Sequence, residues 1–411
     1  MDNPTLSSET KLTRADHPKE DPYGAHVMPI YQTSTFKFDS VEAGRKFFAQ
    51  EEGGSSHSYT RLGNPTVDRL EEAFAGLEGR GEDHAGEISA MAFSSGMAAI
   101  TTTLIAAARG GSIIAQPTLY GCTGQFLQEE APDLGIKTHF MNLNDLDALD
   151  AALKQYPEVK VIYGETMANP TMELLNLPAI AEVAKANGVL FIVDNTFATP
   201  MHLRPLEYGA DAVLHSTTKY LNGHGTLIGG ALVAKQQFIE DHSIHTFRKN
   251  LGGVMSPFEA WLNLNGLKTF NLRMQRHAEN AMKVAEYLDG HDAVEKVYYP
   301  GLKGHADHEL AEQLLEKGYG GILSFELKGG YEAGVSLMDH VELCTLAVSL
   351  GTVDTLIQHP ASMTHAVIDE QTRREAGITE GLVRLAVGIE SPKDIINDLE
   401  QALAAEQLVV A

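Results

Sequence analysis

Cysteine is scarce in this chain. Its two cysteines, Cys122 and Cys344, cannot build a disulfide framework, so stability has to come from a packed core. Basic residues are outnumbered, 31 Lys and Arg against 55 Asp and Glu, leaving a net charge of −24. That balance excludes nucleic acid or an acidic membrane as a partner held by bulk charge, though not an anion held by a local site. No apolar run approaches the roughly 18–20 residues that cross a bilayer. The first twenty residues, MDNPTLSSETKLTRADHPKE, lack the apolar segment of a secretory signal. A soluble, cytoplasmic protein is expected. G-x-x-x-x-G-K-[ST] is missing, and Gly223-x-Gly225 followed by Gly229 has the wrong spacing for a dinucleotide loop. His305-Ala306-Asp307-His308 reads as a polar loop rather than a metal site. There is no internal repeat.

What is present suits a large globular protein. Hydrophobic residues make up 43% and charged residues 21%, enough for a full core in two or three domains. Residues 1–20 read as a mobile tail, and an irregular arm with scattered aromatics follows to Pro65, needing a surface to pack on. Asn64-Pro65-Thr66 opens a helix with Val67, Leu70, Phe74 and Leu77 at helical spacing. Ser94-Ser95-Gly96-Met97 opens another, whose free N–H groups form a natural phosphate seat as well as an ordinary strand-to-helix turn. Four apolar runs, Ser112–Ala115, Val159–Tyr163, Val189–Val193 and Ala212–Leu214, alternate with helical patterns. That alternation predicts an α/β fold with a mainly parallel sheet, whose ligands collect at the carboxyl ends of the strands. Ser256-Pro257-Phe258-Glu259 predicts a capped helix running to about Asp289 with a break at Gly266. Strands at Ile322–Leu327, Leu346–Leu350 and Arg384–Ile389, with helices at Tyr331–His340 and Ser391–Ala404, predict a smaller α+β domain. The division expected is a tail and arm over 1–64, a large domain over 65–270 and a C-terminal domain over 271–411.

The polar sets just after the four runs fall on one predicted edge. The last, Ser216-Thr217-Thr218-Lys219, places a lysine where a core strand ends. Desolvation there disfavours the ammonium and frees an amine that can condense with an aldehyde cofactor, while the hydroxyls beside it suit a phosphate. Asp194, directly after a buried strand, can pair with a protonated ring nitrogen and keep the ring electron-accepting. Tyr120 can stack on such a ring and shuttle protons, given a nearby cation to lower its hydroxyl pKa from about 10. Arg384 can clamp a carboxylate through two parallel hydrogen bonds. Taken singly, the same residues also suit a lysine snorkelling at a strand end, a capping Asp, a packing Tyr and a surface Arg. Ser216 to Lys219 also matches the S-x-x-K pair of serine–lysine acyl hydrolases, although S-D-N and K-T-G are missing.

Six longer motifs bear on the choice: YTRLGNPT at 59–66, SSGMAAI at 94–100, DNTFATP at 194–200, HSTTKYLNGHG at 215–225, SLGTVDTLIQHPASMTH at 349–365 and EGLVRLAVGIE at 380–390. In them the chain resembles, from about Pro22 to Leu403, the pyridoxal-phosphate enzymes of cysteine and methionine metabolism. These are the cystathionine synthases and lyases, acylhomoserine sulfhydrylases and methionine γ-lyases. The resemblance implies the type I, aspartate-aminotransferase-like fold and pyridoxal 5'-phosphate as cofactor. It implies that Lys219 holds the cofactor covalently, Asp194 its pyridine nitrogen and Tyr120 its ring. Gly96, Met97, Ser216 and Thr218 would bind its phosphate, with Tyr59 and Arg61 reaching the cofactor of a neighbouring subunit. Arg384, with Ser349 and Asn169, would bind the substrate carboxylate. A homotetramer, a dimer of dimers with shared sites, follows, and no metal, nucleic acid or membrane partner. Cys122 after Tyr120-Gly121 resembles the methionine γ-lyase pattern, which implies α,γ-elimination from methionine, with γ-replacement or cystathionine cleavage as alternatives. Arg248-Lys249 departs from the Lys-Asp usual in that group and is expected to place a basic residue near the substrate mouth.

Overall fold

The computed structural model describes residues 7–18, 21–52, 56–79, 87–364, 366, 370–375 and 377–410. Residues 80–86 and His365 of the fifth motif therefore lie outside the described residues. Twelve strands follow in chain order among those described: β1 Ile88–Phe93, β2 Ser112–Ala115, β3 Lys137–Phe140, β4 Val159–Glu165, β5 Leu190–Asp194, β6 Ala212–Ser216, β7 Gly230–Lys235, β8 Val294–Tyr298, β9 Ile322–Leu327, β10 Thr345–Leu346, β11 Leu356–Gln358 and β12 Leu382–Ala386.

The first seven make one sheet in the order β1-β7-β6-β5-β4-β2-β3. β3, β2, β4, β5 and β6 run parallel, and β7 and β1 add an antiparallel margin. Both faces are covered. Ile162, Phe191 and Val193 face one buried cluster while Val161, Tyr163, Ile192 and Leu214 face another, as period-two alternation requires. The fold is thus a mostly parallel sheet flanked by helices, with a second sheet ordered β10-β11-β12-β9-β8 carried by the C-terminal part.

Local chemistry explains the helix starts. The Asn64 side chain accepts from the Thr66 amide at 3.0 Å, and Pro65 takes a position that needs no donor. Ser256 Oγ accepts from the Glu259 amide at 3.2 Å and donates to the Glu259 carboxylate at 3.1 Å, capping the helix as expected. The long helix does divide, into Pro257–Leu267 and Phe270–Asp289.

Two expectations change. Within 1–20, residues 7–18 are not a loose tail: a helix spans Ser8–Thr13, Leu12 and Ala15 are buried in the main core, and Asp16 is ion-paired with Lys268 at 2.7 Å. The strand expected at Leu346–Leu350 pairs only through Thr345–Leu346. It ends because Ser349 takes a left-handed backbone, φ +86°, turning its polar groups elsewhere.

Candidate active site

Directly after β6 the chain turns, and three residues beyond the strand the Lys219 amine donates to the Ser349 hydroxyl at 2.6 Å. Burial, then the nearby Arg384 charge, brings the lysine from its ordinary 10.5 down to about 8, so a useful fraction is neutral near neutrality. Arg384 is buried in the middle of β12 rather than at its start. Its Nη2 donates to the Ser349 carbonyl at 2.6 Å and its Nη1 to Asn169 Oδ1 at 3.3 Å. Its Nε has no partner among the described residues, and burial lowers it to about 10. Lys219, Arg384, Ser349 and Asn169 thus converge, with Ser349 bonded by the first two at once. Because the lysine amine bonds Ser349 and not Ser216, the geometry does not form the nucleophile–base pair that an S-x-x-K hydrolase needs.

Asp194 closes β5. One of its oxygens accepts from the Thr196 amide at 2.8 Å, and burial raises its pKa. A carboxylate held there without an ion-pair partner among the described residues would gain most from a cationic ring nitrogen. Tyr120 precedes the helix Gly121–Gln125 and is half exposed, as a ring that receives a stacking partner would be. Its hydroxyl accepts from Cys122 Sγ at 3.6 Å. The cation expected to lower this hydroxyl is too weakly felt. Burial and Cys122 push it up to about 12, and Arg384 opposes only in part.

The helix start expected to seat a phosphate, that of Gly96–Ala108, lies against β6. Ser95 accepts from the Ala98 amide at 3.0 Å, leaving the amides of Gly96 and Met97 at the positive end of the helix. A Cβ on Gly96 would lie 2.9 Å from the Ser216 Cβ, so only glycine allows this approach. The Ser216 hydroxyl has no partner among the described residues, whereas the Thr218 hydroxyl both donates to the Gly229 carbonyl at 3.2 Å and accepts from its amide at 3.0 Å.

Tyr59 and Arg61 are not brought to this cluster within one chain. Arg61 sits 5.4 Å over the Tyr59 ring and donates to the Lys249 carbonyl at 2.8 Å. Of the pair Arg248-Lys249, the swap of an acidic for a basic group falls at Lys249, and Arg248 plays a different part. That side chain is buried, pairs with Glu71 and donates to the Ala92 carbonyl at 2.9 Å, so it holds the helix Pro65–Glu78 to β1.

Glu165 and Thr196 carry no specific role on the sequence alone, although Glu165 opens the polar set after the run Val159–Tyr163. Glu165 ends β4 directly beside Asp194 in register, and its Oε1 accepts from the Tyr120 amide at 2.6 Å. Thr196 bonds Asp194 through its amide and takes the Ser216 amide on its hydroxyl at 2.8 Å. Both were findable as polar residues closing apolar runs at the same sheet edge. Among the described residues no group of three or more His, Cys, Asp or Glu could hold a metal ion. A low-pKa lysine, an unpaired buried carboxylate and a glycine-lined helix start beside a free hydroxyl together fit pyridoxal 5'-phosphate.

Comparison with known proteins agrees with this geometry. Residues 9–404 match the family described as Cys/Met metabolism PLP-dependent enzyme. The chain is 47% identical to an L-methionine gamma-lyase of Fusobacterium nucleatum subsp. polymorphum, covering 93% of this chain and 94% of that one. It is 39% identical to a cystathionine beta-lyase of Lactococcus lactis subsp. cremoris, covering 97% and 99%. A crystal structure of cystathionine gamma synthase from Xanthomonas oryzae pv. oryzae in complex with aminoacrylate and cysteine superposes with a TM-score of 0.89 at 39% identity, covering 98% and 99%.

Proposed function

Since the chain belongs to the pyridoxal-phosphate-dependent enzymes of Cys/Met metabolism, we propose that it is a carbon–sulfur lyase whose substrate is L-methionine, cleaved by α,γ-elimination. Methionine and water give methanethiol, 2-oxobutanoate and ammonia. The observation that carries this reading is the convergence of the Lys219 amine and the Arg384 guanidinium on Ser349, a base poised next to a carboxylate clamp. The choice of methionine is supported by the relatives at 44–47% identity that bear that name, against 39% for the cystathionine β-lyases.

The bound cofactor supplies an electron sink for the electrons left when the substrate's α-hydrogen departs as a proton. Asp194 would hold the ring nitrogen charged, and Gly96, Met97 and Ser216 would hold the phosphate, joined by Thr218 once its hydroxyl turns from the Gly229 carbonyl. Arg384 orients the substrate carboxylate, helped by Asn169 and Ser349, which places the α-hydrogen against Lys219 Nζ. Nζ takes that proton and then one from the β-carbon, and the electron pair freed there breaks the Cγ–S bond. The Tyr120 hydroxyl gives a proton to the departing γ-sulfur, with Cys122 beside it facing the same group. Tyr59 and Arg61, remote from Lys219 in their own chain, serve the phosphate of a neighbouring subunit. This supports a homotetramer built as a dimer of dimers. Exposed apolar side chains at Leu251, Phe258 and Leu272 supply surface for such contacts. The free thiols Cys122 and Cys344 suit the reducing cytoplasm. No described helix is long and apolar enough to cross a membrane.

The test is turnover of purified protein on methionine, on cystathionine, and on O-acetylhomoserine plus sulfide, with Lys219→Ala as the blank. Methionine should be used best and the variant should be inactive. Faster γ-replacement on O-acetylhomoserine would make the enzyme a sulfhydrylase, the reading the Xanthomonas synthase keeps open.

A further inference from the structure

Glu165 is buried, and the reaction as drawn leaves it idle. Its surroundings are unusually specific. Along β4, Val161, Tyr163 and Glu165 alternate onto the face that also carries Ile192, and Asp194 lies two residues beyond Ile192 on the neighbouring strand. Glu165 and Asp194 are partners in the parallel ladder, so two carboxyl groups stand side by side at one edge of the sheet. No basic side chain is paired with Glu165 among the described residues. The groups facing it are Asp194 on β5, Tyr163 on its own strand, and Tyr120 on the segment after β2. Burial and the Asp194 charge push Glu165 up to about 8.

Glu165 also ends a clamp on the chain that carries Tyr120. Its amide donates to Gln116 Oε1 at 3.0 Å, Gln116 Nε2 donates to the Thr118 carbonyl at 2.5 Å, and Glu165 Oε1 accepts from the Tyr120 amide at 2.6 Å. The 116–120 segment is thereby fixed at both ends to the last residue of β4. Cys122 follows within two residues.

We propose that Glu165 is a positioning residue of the active site: as a neutral carboxyl it anchors the Tyr120 segment and leaves Asp194 as the single negative charge available to the cofactor's ring nitrogen. This rests on the proposed roles of Asp194 and Tyr120. Two like charges in adjacent buried positions are costly, and the cationic ring favours ionisation of Asp194, so the proton resides on Glu165. Loss of that proton above pH 8 puts a second charge beside the counter-ion and disturbs the site.

Three proteins test this: wild type, Glu165→Gln, which keeps the acceptor and can never ionise, and Glu165→Ala, which removes the acceptor. Amide hydrogen exchange at Tyr120, read on cofactor-free protein, should be unchanged in Glu165→Gln and faster by about tenfold or more in Glu165→Ala. In the holoenzyme at pH 7, kcat should fall by about a hundredfold in Glu165→Ala and by less than about threefold in Glu165→Gln. The ionisation near pH 8 should mark the cofactor absorbance and kcat/KM of wild type and be missing from Glu165→Gln. Unchanged exchange in Glu165→Ala would overturn the anchor. A Glu165→Gln enzyme as impaired as Glu165→Ala, or one retaining the step near pH 8, would overturn the neutral carboxyl. Should Glu165→Ala fail to fold, the pH profile and Tyr120 exchange of Glu165→Gln decide alone. Purified protein without cofactor would instead strike at the proposed function, and the exchange measurement, which needs none, would still judge the clamp.

Discussion

The Lys219 amine lies 2.6 Å from the Ser349 hydroxyl across 130 residues of chain. Lys219 follows β6 of the first sheet, and Ser349 sits between β10 and β11 of the second. The same serine gives its carbonyl to Arg384 at 2.6 Å. One residue in a left-handed turn therefore registers a base from one sheet against a cation from the other.

The pH dependence of Lys219 follows from its burial. Below about pH 8 both folded and unfolded chains hold the lysine proton. Between about 8 and the ordinary 10.5 only the unfolded chain does, so cofactor-free protein gains stability as pH rises through that window. Labelling of Lys219 by trinitrobenzenesulfonate, read on its tryptic peptide, should show a midpoint near 8. Arg384→Leu should move that midpoint upward, because the arginine charge is one cause of the shift.

Arg384→Lys keeps a charge but loses the fork. The Ser349 carbonyl and Asn169 Oδ1 cannot both be served by one ammonium in the same geometry. Steady-state kinetics should show kcat/KM down by about 10²-fold, carried mainly by KM.

The proposed sharing of sites between subunits makes a prediction about mixtures. Arg61→Ala and Lys219→Ala homo-oligomers should each be nearly inactive. Subunits co-refolded from both should recover about a quarter of wild-type activity, since some interfaces then pair an intact Arg61 with an intact Lys219. No recovery would remove Tyr59 and Arg61 from the neighbour's site.

Gly230→Ala tests the close approach behind the proposed phosphate seat. A Cβ there would fall 2.2 Å from the Ser95 carbonyl oxygen, and backbone has to move. Thermal unfolding should report a loss of about 1–3 kcal/mol, and cofactor affinity should fall with it.

The sequence carried much of this in plain form. The runs 112–115, 159–163 and 212–214 and the caps at Asn64 and Ser256 obey local rules, and they landed where those rules put them. What local rules could not show was contact between distant segments. β3, KTHF, is too polar and short to stand out, and it is a strand because β2 pairs with it. Arg248 reads as a surface cation in its own helix and becomes structural only through Glu71, 177 residues away. Glu165 gains meaning only beside Asp194 and the Tyr120 amide. Leu346–Leu350 had strand composition, yet Ser349 answers to Lys219 and Arg384 instead of to a ladder.

The short amino-terminal helix has a consequence for handling the protein. Leu12 and Ala15 enter the core, Asp16 grips Lys268, and Glu9 reaches Lys317 at 3.1 Å, just ahead of β9. This segment works as a hasp between the two halves of the molecule. Proteolytic trimming to residue 16 would therefore loosen both halves together, even though every residue removed is far in sequence from Lys219.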